Sequence, residues 1–129
     1  MSVSTKDISV KDVITVSNDR TVASAKSFMT YFKLDALIVT DENDPIGIIT
    51  KNDIDRRVLS IELDPHLVCV REVCSEPLLW VRYNTTLTEV AQIMEEKTVK
   101  RLPIFGNLST GPILLGLYVH EPSEIELEN

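Results

Sequence analysis

At 129 residues the chain can build one compact unit, burying roughly 65 to 70% of the surface its unfolded form exposes, with no length left for a separate catalytic domain. Its 43% hydrophobic and 26% charged side chains are those of an ordinary globular protein. No apolar run nears the ~20 residues that cross a bilayer, and Met1 to Asp12 lacks an apolar signal core, so a cytoplasmic protein with no membrane partner is expected. The net charge of −7 argues against nucleic acid as a partner, because phosphate neutralisation needs clustered Lys and Arg; a small anion needs only a few local donors.

The chain opens with a short apolar strand at Val13 to Val16, stopped by the polar turn Ser17-Asn18-Asp19-Arg20. Thr21 then reads as a helix N-cap, and Val22, Ala25, Met29 and Phe32 recur at helical spacing on one apolar face. Leu37 to Val39 is a buried strand, Asp41 to Pro45 a polar turn, and Ile46 to Ile49 a further strand. Thr50 opens a helix whose apolar positions are Ile54, Val58 and Ile61. A connector containing Asp64-Pro65 follows, in which Val68 to Val73 can pack. Its two cysteines, Cys69 and Cys74, are too few for a four-ligand zinc site; they read as reduced, partly buried thiols, with a disulfide or redox use as the alternative.

The order then recurs. Leu78 to Val81 is a strand, and Thr86 caps a helix with Leu87, Val90, Ala91 and Met94 inward, Glu89 completing a Thr-x-x-Glu capping box. Arg101 to Phe105 and Ile113 to Val119 supply two strands, and the acidic stretch from Glu121 to Asn129 carries a faint helix signal. The recurrence is one of register. Val16, Thr21, Val22, Met29, Leu37 and Val39 answer to Val81, Thr86, Leu87, Met94, Leu102 and Ile104, each pair 65 positions apart. Gly47 answers to Gly116 at an offset of 69, which puts four extra residues into Asn107 to Pro112, a stretch of turn chemistry.

Residues 1–62 are thus a first repeat, 63–77 a connector and 78–129 a second repeat, each reading strand, helix, strand, strand, helix. A unit of about 60 residues does not easily cover its own helix faces, so two are expected to pack together as an α+β fold with α/β-type layers, apolar strand residues lining the cleft.

The chain resembles a stand-alone CBS-domain pair, or Bateman module. The likeness lies in Val16-Ser17-Asn18-Asp19-Arg20-Thr21-Val22, in Lys100-Arg101-Leu102-Pro103-Ile104, and in Gly47-Ile48-Ile49-Thr50-Lys51-Asn52-Asp53 followed by Ile54, and it extends from about Val10 to about Glu124. It implies two tandem repeats packed with pseudo-twofold symmetry and modules that pair, here as a homodimer. It also implies a regulatory module and not an enzyme. Such modules bind AMP, ADP, ATP or S-adenosylmethionine in clefts between the repeats, require no cofactor, and act on a regulated protein that the sequence does not identify.

The residues themselves make such a ligand chemically reasonable. Thr50 and Asp53 stand where a helix begins, with unpaired backbone donors and the positive end of the dipole favouring an anion, and a carboxylate can accept two hydrogen bonds from vicinal ribose hydroxyls. By resemblance, Asp53 holds the ribose, Thr50 the phosphate and Ile48 touches the base. Gly47 lets backbone and ligand approach closely. Leu78 and Leu79 then lie against the adenine, with Arg101 and Lys100 at the phosphates; Lys51, Arg56 and Arg57 add local positive charge. The plainer alternative is a threonine-capped helix start with an Asp53–Arg57 surface pair.

The second repeat departs from this pattern: Val119 stands for Thr50 and Pro122 for Asp53, so its cleft is expected to bind poorly or to bind something else, Glu121 or Glu124 substituting only in a shifted register. Val13 and Ile14, facing that cleft, read as core. His66 and His120 have no nucleophile or metal cluster around them, and Trp80 and Tyr83 at strand spacing read as packing or dimer-interface residues. No paired acid and base or activated nucleophile can be assembled, so no catalytic residue and no metal ligand is assigned.

Overall fold

Two three-stranded sheets, each served by its own helix, account for most of the described residues; the structure, a computed structural model, describes residues 13–109 and 111–119. The chain divides into two compact units, the first Val13–Leu78 and the second comprising, among the described residues, 79–109 and 111–119. Both mix strands with helices, so the fold is α+β.

In the first unit, β1 (Thr15–Ser17) leads through α1 (Val22–Phe32) to β2 (Ala36–Asp41), which pairs parallel to β1 and antiparallel to β3 (Asp44–Thr50). Asp41 faces Asp44 across a two-residue turn in which Glu42 and Asn43 both have positive φ, 48° and 72°, the backbone sign that matches the twist of a tight hairpin. Both strands therefore run further than the polar composition of 41–45 suggested. Val22, Ala25 and Met29 of α1 pack on Leu37, Val39 and Ile49 of the sheet, each such side chain contributing roughly 1.5 to 3 kcal/mol on burial. Phe32 does not join them: Lys33 turns left-handed (φ 57°), Leu34 N–H returns to the Met29 carbonyl at 2.8 Å, and Leu34 takes the apolar place while Phe32 stays 46% exposed.

After β3, α2 (Lys51–Ile54) widens into a π-helical turn over Asp55–Leu59, where Ser60 N–H reaches back five residues to the Asp55 carbonyl at 2.8 Å. Ile54 and Val58 are buried as their spacing predicted. Ile61 is not, because the wide turn shifts the phase and the helix ends at Leu59.

The stretch beyond is integral to the first unit. Val70 and Val73, in and just after a 3₁₀ turn at Val70–Glu72, enter its core. The same stretch completes α1: the Val22 and Ala23 N–H groups donate to the Val68 and Pro65 carbonyls at 2.8 and 2.9 Å, and Ser24 N–H to the Thr21 hydroxyl at 3.1 Å. Three donors that a helix start leaves unpaired are thereby satisfied.

The second unit repeats the frame with β4 (Val81–Arg82), α3 (Leu87–Lys97), β5 (Arg101–Leu108) and β6 (Gly111–Val119). Val81 pairs with Ile104 as Val16 pairs with Val39, Ile104 faces Gly116 as Val39 faces Gly47, and each central strand carries its irregularity one residue further on. Three expectations shift. Leu78 to Trp80 lie outside the strand, which is Val81–Arg82 alone. The residues taken as an inserted turn at 107–112 instead lengthen the hairpin, Asn107 facing Pro112 and Leu108 facing Gly111. Ala91 is exposed, because the covered arc of α3 runs through Ile93, Val90, Met94 and Leu87 and leaves Ala91 past its edge. The final helix signal at 121–129 lies outside the described residues.

Candidate functional site

Thr50 and Asp53 close on each other. Asp53 N–H donates to the Thr50 hydroxyl at 3.1 Å and Thr50 N–H donates to Asp53 Oδ2 at 2.9 Å, a reciprocal capping box that starts α2. The plain helix-start role is therefore present in full, and it leaves chemistry to spare. An ionised carboxylate offers about four lone-pair sites and a hydroxyl can donate while it accepts, so Asp53 Oδ1 and the Thr50 hydroxyl proton are not used by the box. Asp53 is only 6% exposed, and its Oδ1 faces the Arg56 guanidinium at 3.6 Å. The surface pair expected between Asp53 and Arg57 is replaced: Arg56 takes the carboxylate, while Arg57 Nη1 donates to the Val73 carbonyl at 2.8 Å and anchors the helix to the connecting chain.

Gly47 and Ile48 lie on β3 just before this turn. A Cβ on Gly47 would stand 2.5 Å from the Ser75 carbonyl oxygen, so what requires glycine there is the chain's own backbone. Ile48 and Ser75 exchange both backbone bonds, at 3.1 and 2.9 Å, which leaves the half-buried Ile48 side chain as the group it can offer a ligand. Cys74, next in line, donates to Glu76 Oε2 at 3.8 Å. Burial first, then the Glu76 carboxylate and more weakly that of Asp53, push its thiol up to about 11 from an ordinary 9.0.

Lys51 is exposed in the first turn of α2, and Leu78 is half-buried at the end of the first unit. Leu79, Lys100 and Arg101 belong to the second unit: Leu79 packs on its core, Lys100 is exposed, and Arg101 begins β5 opposite Val119. That ladder pair matches Ala36 with Thr50 in the first unit, which confirms Val119 as the counterpart of Thr50. Pro122, Glu121, Glu124 and His120 lie outside the described residues. Trp80, 47% exposed, meets Phe105 edge to face at 5.3 Å, in keeping with a packing role.

Two shallow grooves lie elsewhere. One of about 540 Å³ runs along α1 beside Tyr31, Pro65 and His66; the other, about 480 Å³, lies between Trp80 and Ile93. His66 sits on the Asp64 carboxylate, ring Nδ1 3.2 Å from Oδ1, and its backbone N–H before its ring holds the exposed Asp64 carboxyl below the usual range.

Sequence reasoning missed Ser75 and Val73 as neighbours of the site, and it placed Arg56 nearby but gave its carboxylate pair to Arg57. One signal pointed toward the first two: Cys69-x-x-Glu72 repeats the cap pattern, Cys69 N–H donating to Glu72 Oε2 at 2.7 Å, and marks a local turn inside the connector.

Two strand–helix–strand–strand units in tandem, the first with a turn-capped acid after its glycine-bearing strand, define a tandem-repeat architecture. The CBS domain matches this chain at residues 6–60 and 70–113, and the chain belongs to that family as a CBS-domain pair. An uncharacterized protein of Methanopyrus kandleri is 33% identical over 104 residues, 80% of this chain and 53% of the relative, so the chain spans about half of that protein. The CBS domain-containing protein YhcV of Bacillus subtilis is 32% identical over 114 residues, 88% of this chain and 81% of its own length. Among solved structures, the hexameric CBS-CP12 protein from bloom-forming cyanobacteria superposes with a TM-score of 0.82 at 29% identity, covering 100% of this chain and 69% of that one. Among the described residues, no helix is long and apolar enough to cross a membrane.

Proposed function

We propose that the chain is a cytoplasmic regulatory module, not an enzyme, that binds an adenosine-containing ligand (AMP, ADP, ATP or S-adenosylmethionine) at the Thr50–Asp53 turn and passes the event to a partner protein. The observation that carries the reading is the buried Asp53 carboxylate, oriented through Oδ2 by Thr50 N–H so that Oδ1 remains for a sugar hydroxyl, in a chain of the CBS family. A fixed acceptor is what a ribose needs, because the carboxylate's rotamer entropy is already spent in the cap. The Thr50 hydroxyl proton and Lys51 suit a phosphate, and Ile48 with Leu78 suits a base.

Regulation follows from differential affinity: a ligand that binds one arrangement of the module more tightly than another shifts the population that a partner reads. Titration calorimetry with each of the four ligands tests the proposal. Binding to the native state at one hundred times the dissociation constant adds about 2.7 kcal/mol of stability, and Asp53→Ala abolishes both heat and stabilisation while the fold persists. No heat and no thermal shift at millimolar ligand rejects it.

The second reading is a ligand-independent homodimerisation or interaction module. Thr50 and Asp53 already satisfy each other, and Tyr31 and Leu67 stand 80% and 81% exposed on the first unit. Light scattering that shows the same dimer with and without nucleotide, and an Asp53→Ala protein identical in every property, would favour it.

A further inference from the structure

We infer that the groove between Trp80 and α3 of the second unit is a docking surface for an arginine-bearing segment of a partner protein, with guanidinium groups seated between the indole and the carboxylates of Glu89 and Glu96. The inference goes beyond the nucleotide reading and does not depend on it.

The two repeats differ here in what they supply for themselves. In the first, the guanidinium carbon of Arg20 lies 5.6 Å from the ring centroid of the half-buried Phe28, a cation over an aromatic face. At the 65-residue offset, Thr85 stands for Arg20 and Ile93 for Phe28, so the second repeat lacks both the guanidinium and the ring. Trp80 stands for Thr15, Glu89 for Ser24 and Glu96 for Tyr31, so that repeat gains an aromatic surface ahead of β4 and two carboxylates on α3. These five residues all line the groove of about 480 Å³.

Each wall suits a cation. Phe105 holds the Trp80 ring edge to face at 5.3 Å, and the indole is still 47% exposed. Glu89 commits Oε2 to the Thr86 N–H at 3.4 Å and keeps Oε1; Glu96 is exposed, and neither acid has an ion pair among the described residues. Arg82, the groove's own cation, is already engaged elsewhere. A guanidinium meets both walls at once, because it stacks on an aromatic face and forks onto a carboxylate, whereas an ammonium is a point charge.

Spacing favours a chain over a free small cation. Glu89, Ile93 and Glu96 share one helix face, and the two acids lie two turns apart, about 10 Å along the axis, more than one guanidinium spans. Alternate residues of an extended segment fall about 7 Å apart on one side, and long arginine stems make up the difference. The net charge of −7 steers such a basic segment toward the protein.

Trp80 is the single tryptophan of the chain, so its fluorescence reports on the groove directly. The test titrates a capped pentapeptide alternating arginine with alanine, its lysine counterpart and arginine amide into the whole protein. The arginine peptide is expected to change Trp80 emission and to bind about threefold or more tighter than the lysine peptide, with arginine amide weaker than both. Glu89→Gln combined with Glu96→Gln weakens the arginine peptide by roughly three- to tenfold; glutamine preserves the capping box, so the melt stays close to wild type. Asp41→Asn combined with Asp44→Asn makes the same charge change on the exposed hairpin of the first unit and leaves peptide binding nearly unchanged. Thr85→Arg combined with Ile93→Phe restores the pair of the first repeat and displaces the peptide. Unchanged Trp80 emission at millimolar peptide, equal affinity for the arginine and lysine peptides, or equal weakening by the two acid-removing pairs each overturns the inference. None of these readouts depends on whether AMP binds.

Discussion

The two repeats share one frame and differ in what is hung on it. Thr21 and Thr86 cap their helices, Lys33 and Thr98 end them with left-handed backbone at φ 57° and 56°, and the central strands break register after Val39 and after Ile104. In the first repeat the connecting chain covers the start of α1, presses Ser75 against Gly47 and ties Arg57 at Val73; in the second, α3 is capped by its own Glu89 and the last hairpin is longer. The lesson is that a repeated frame does not produce a repeated site. What turned one copy into a candidate ligand site is a polar turn after β3 and a strap of chain to hold it, and Val119 lacks the first of these.

The largest test of that comparison is in the cores. Leu37→Ala and Leu102→Ala remove equivalent, fully buried side chains and should each cost about 2 to 5 kcal/mol in urea denaturation; a loss under 1 kcal/mol at either site would break the equivalence of the frames. Next comes the strap. Gly47→Ala drives a methyl into the Ser75 carbonyl and should cost about 1 to 3 kcal/mol, whereas Gly106→Ala meets only the Leu115 side chain, half exposed and able to turn, and should cost clearly less. Equal costs would mean that Ser75 yields easily and the strap is loose.

Smaller still are the caps. Thr50→Ala and Thr86→Ala each remove a hydroxyl that accepts from the third helical residue, at 3.1 and 3.2 Å, for about 1 kcal/mol apiece. Calorimetry should separate them, because only Thr50→Ala is expected to weaken nucleotide. The smallest effect concerns Cys74. With its thiol pushed up to about 11 from 9.0, its alkylation rate should keep rising until about pH 11 instead of levelling near pH 9. Because the folded value lies above the unfolded one, the protonated thiol's contribution to stability is fully present below pH 9 and is lost as pH rises through about 11. Asp53→Asn removes one of the charges that raises it and should shift the alkylation profile slightly downward.

Much of the fold was legible because its signals are local. Thr21, Thr86 and Glu89 act on donors three residues away, and the apolar positions of α1 and α3 repeat within one turn. The errors cluster where local pattern met a distant partner. Phe32 and Ile61 followed the spacing, but Leu34 took the apolar place beyond Phe32 and the second helix ended before Ile61; Gly47 was read toward a ligand, and the chain's own Ser75 stands against it. Of the candidate site, the Thr50–Asp53 turn was visible as a motif, whereas the choice of Arg56 over Arg57 as the carboxylate's partner depended on a π-helical turn and on Val73 drawing Arg57 aside.

By itself the amino-acid order determined the doubled frame, the helix caps and the place of an acid at one helix start, because each rests on contacts within a few residues that any conformation of the rest would preserve. Tertiary structure alone decided which guanidinium faces Asp53, that Gly47 must stay bare and that the strap belongs to the first unit. Those depend on closing loops of sixteen to twenty-eight residues so that Val73 meets Arg57 and Ser75 meets Gly47, and loop closure costs an entropy that only the finished core, with Val70 and Val73 inside it, can offset.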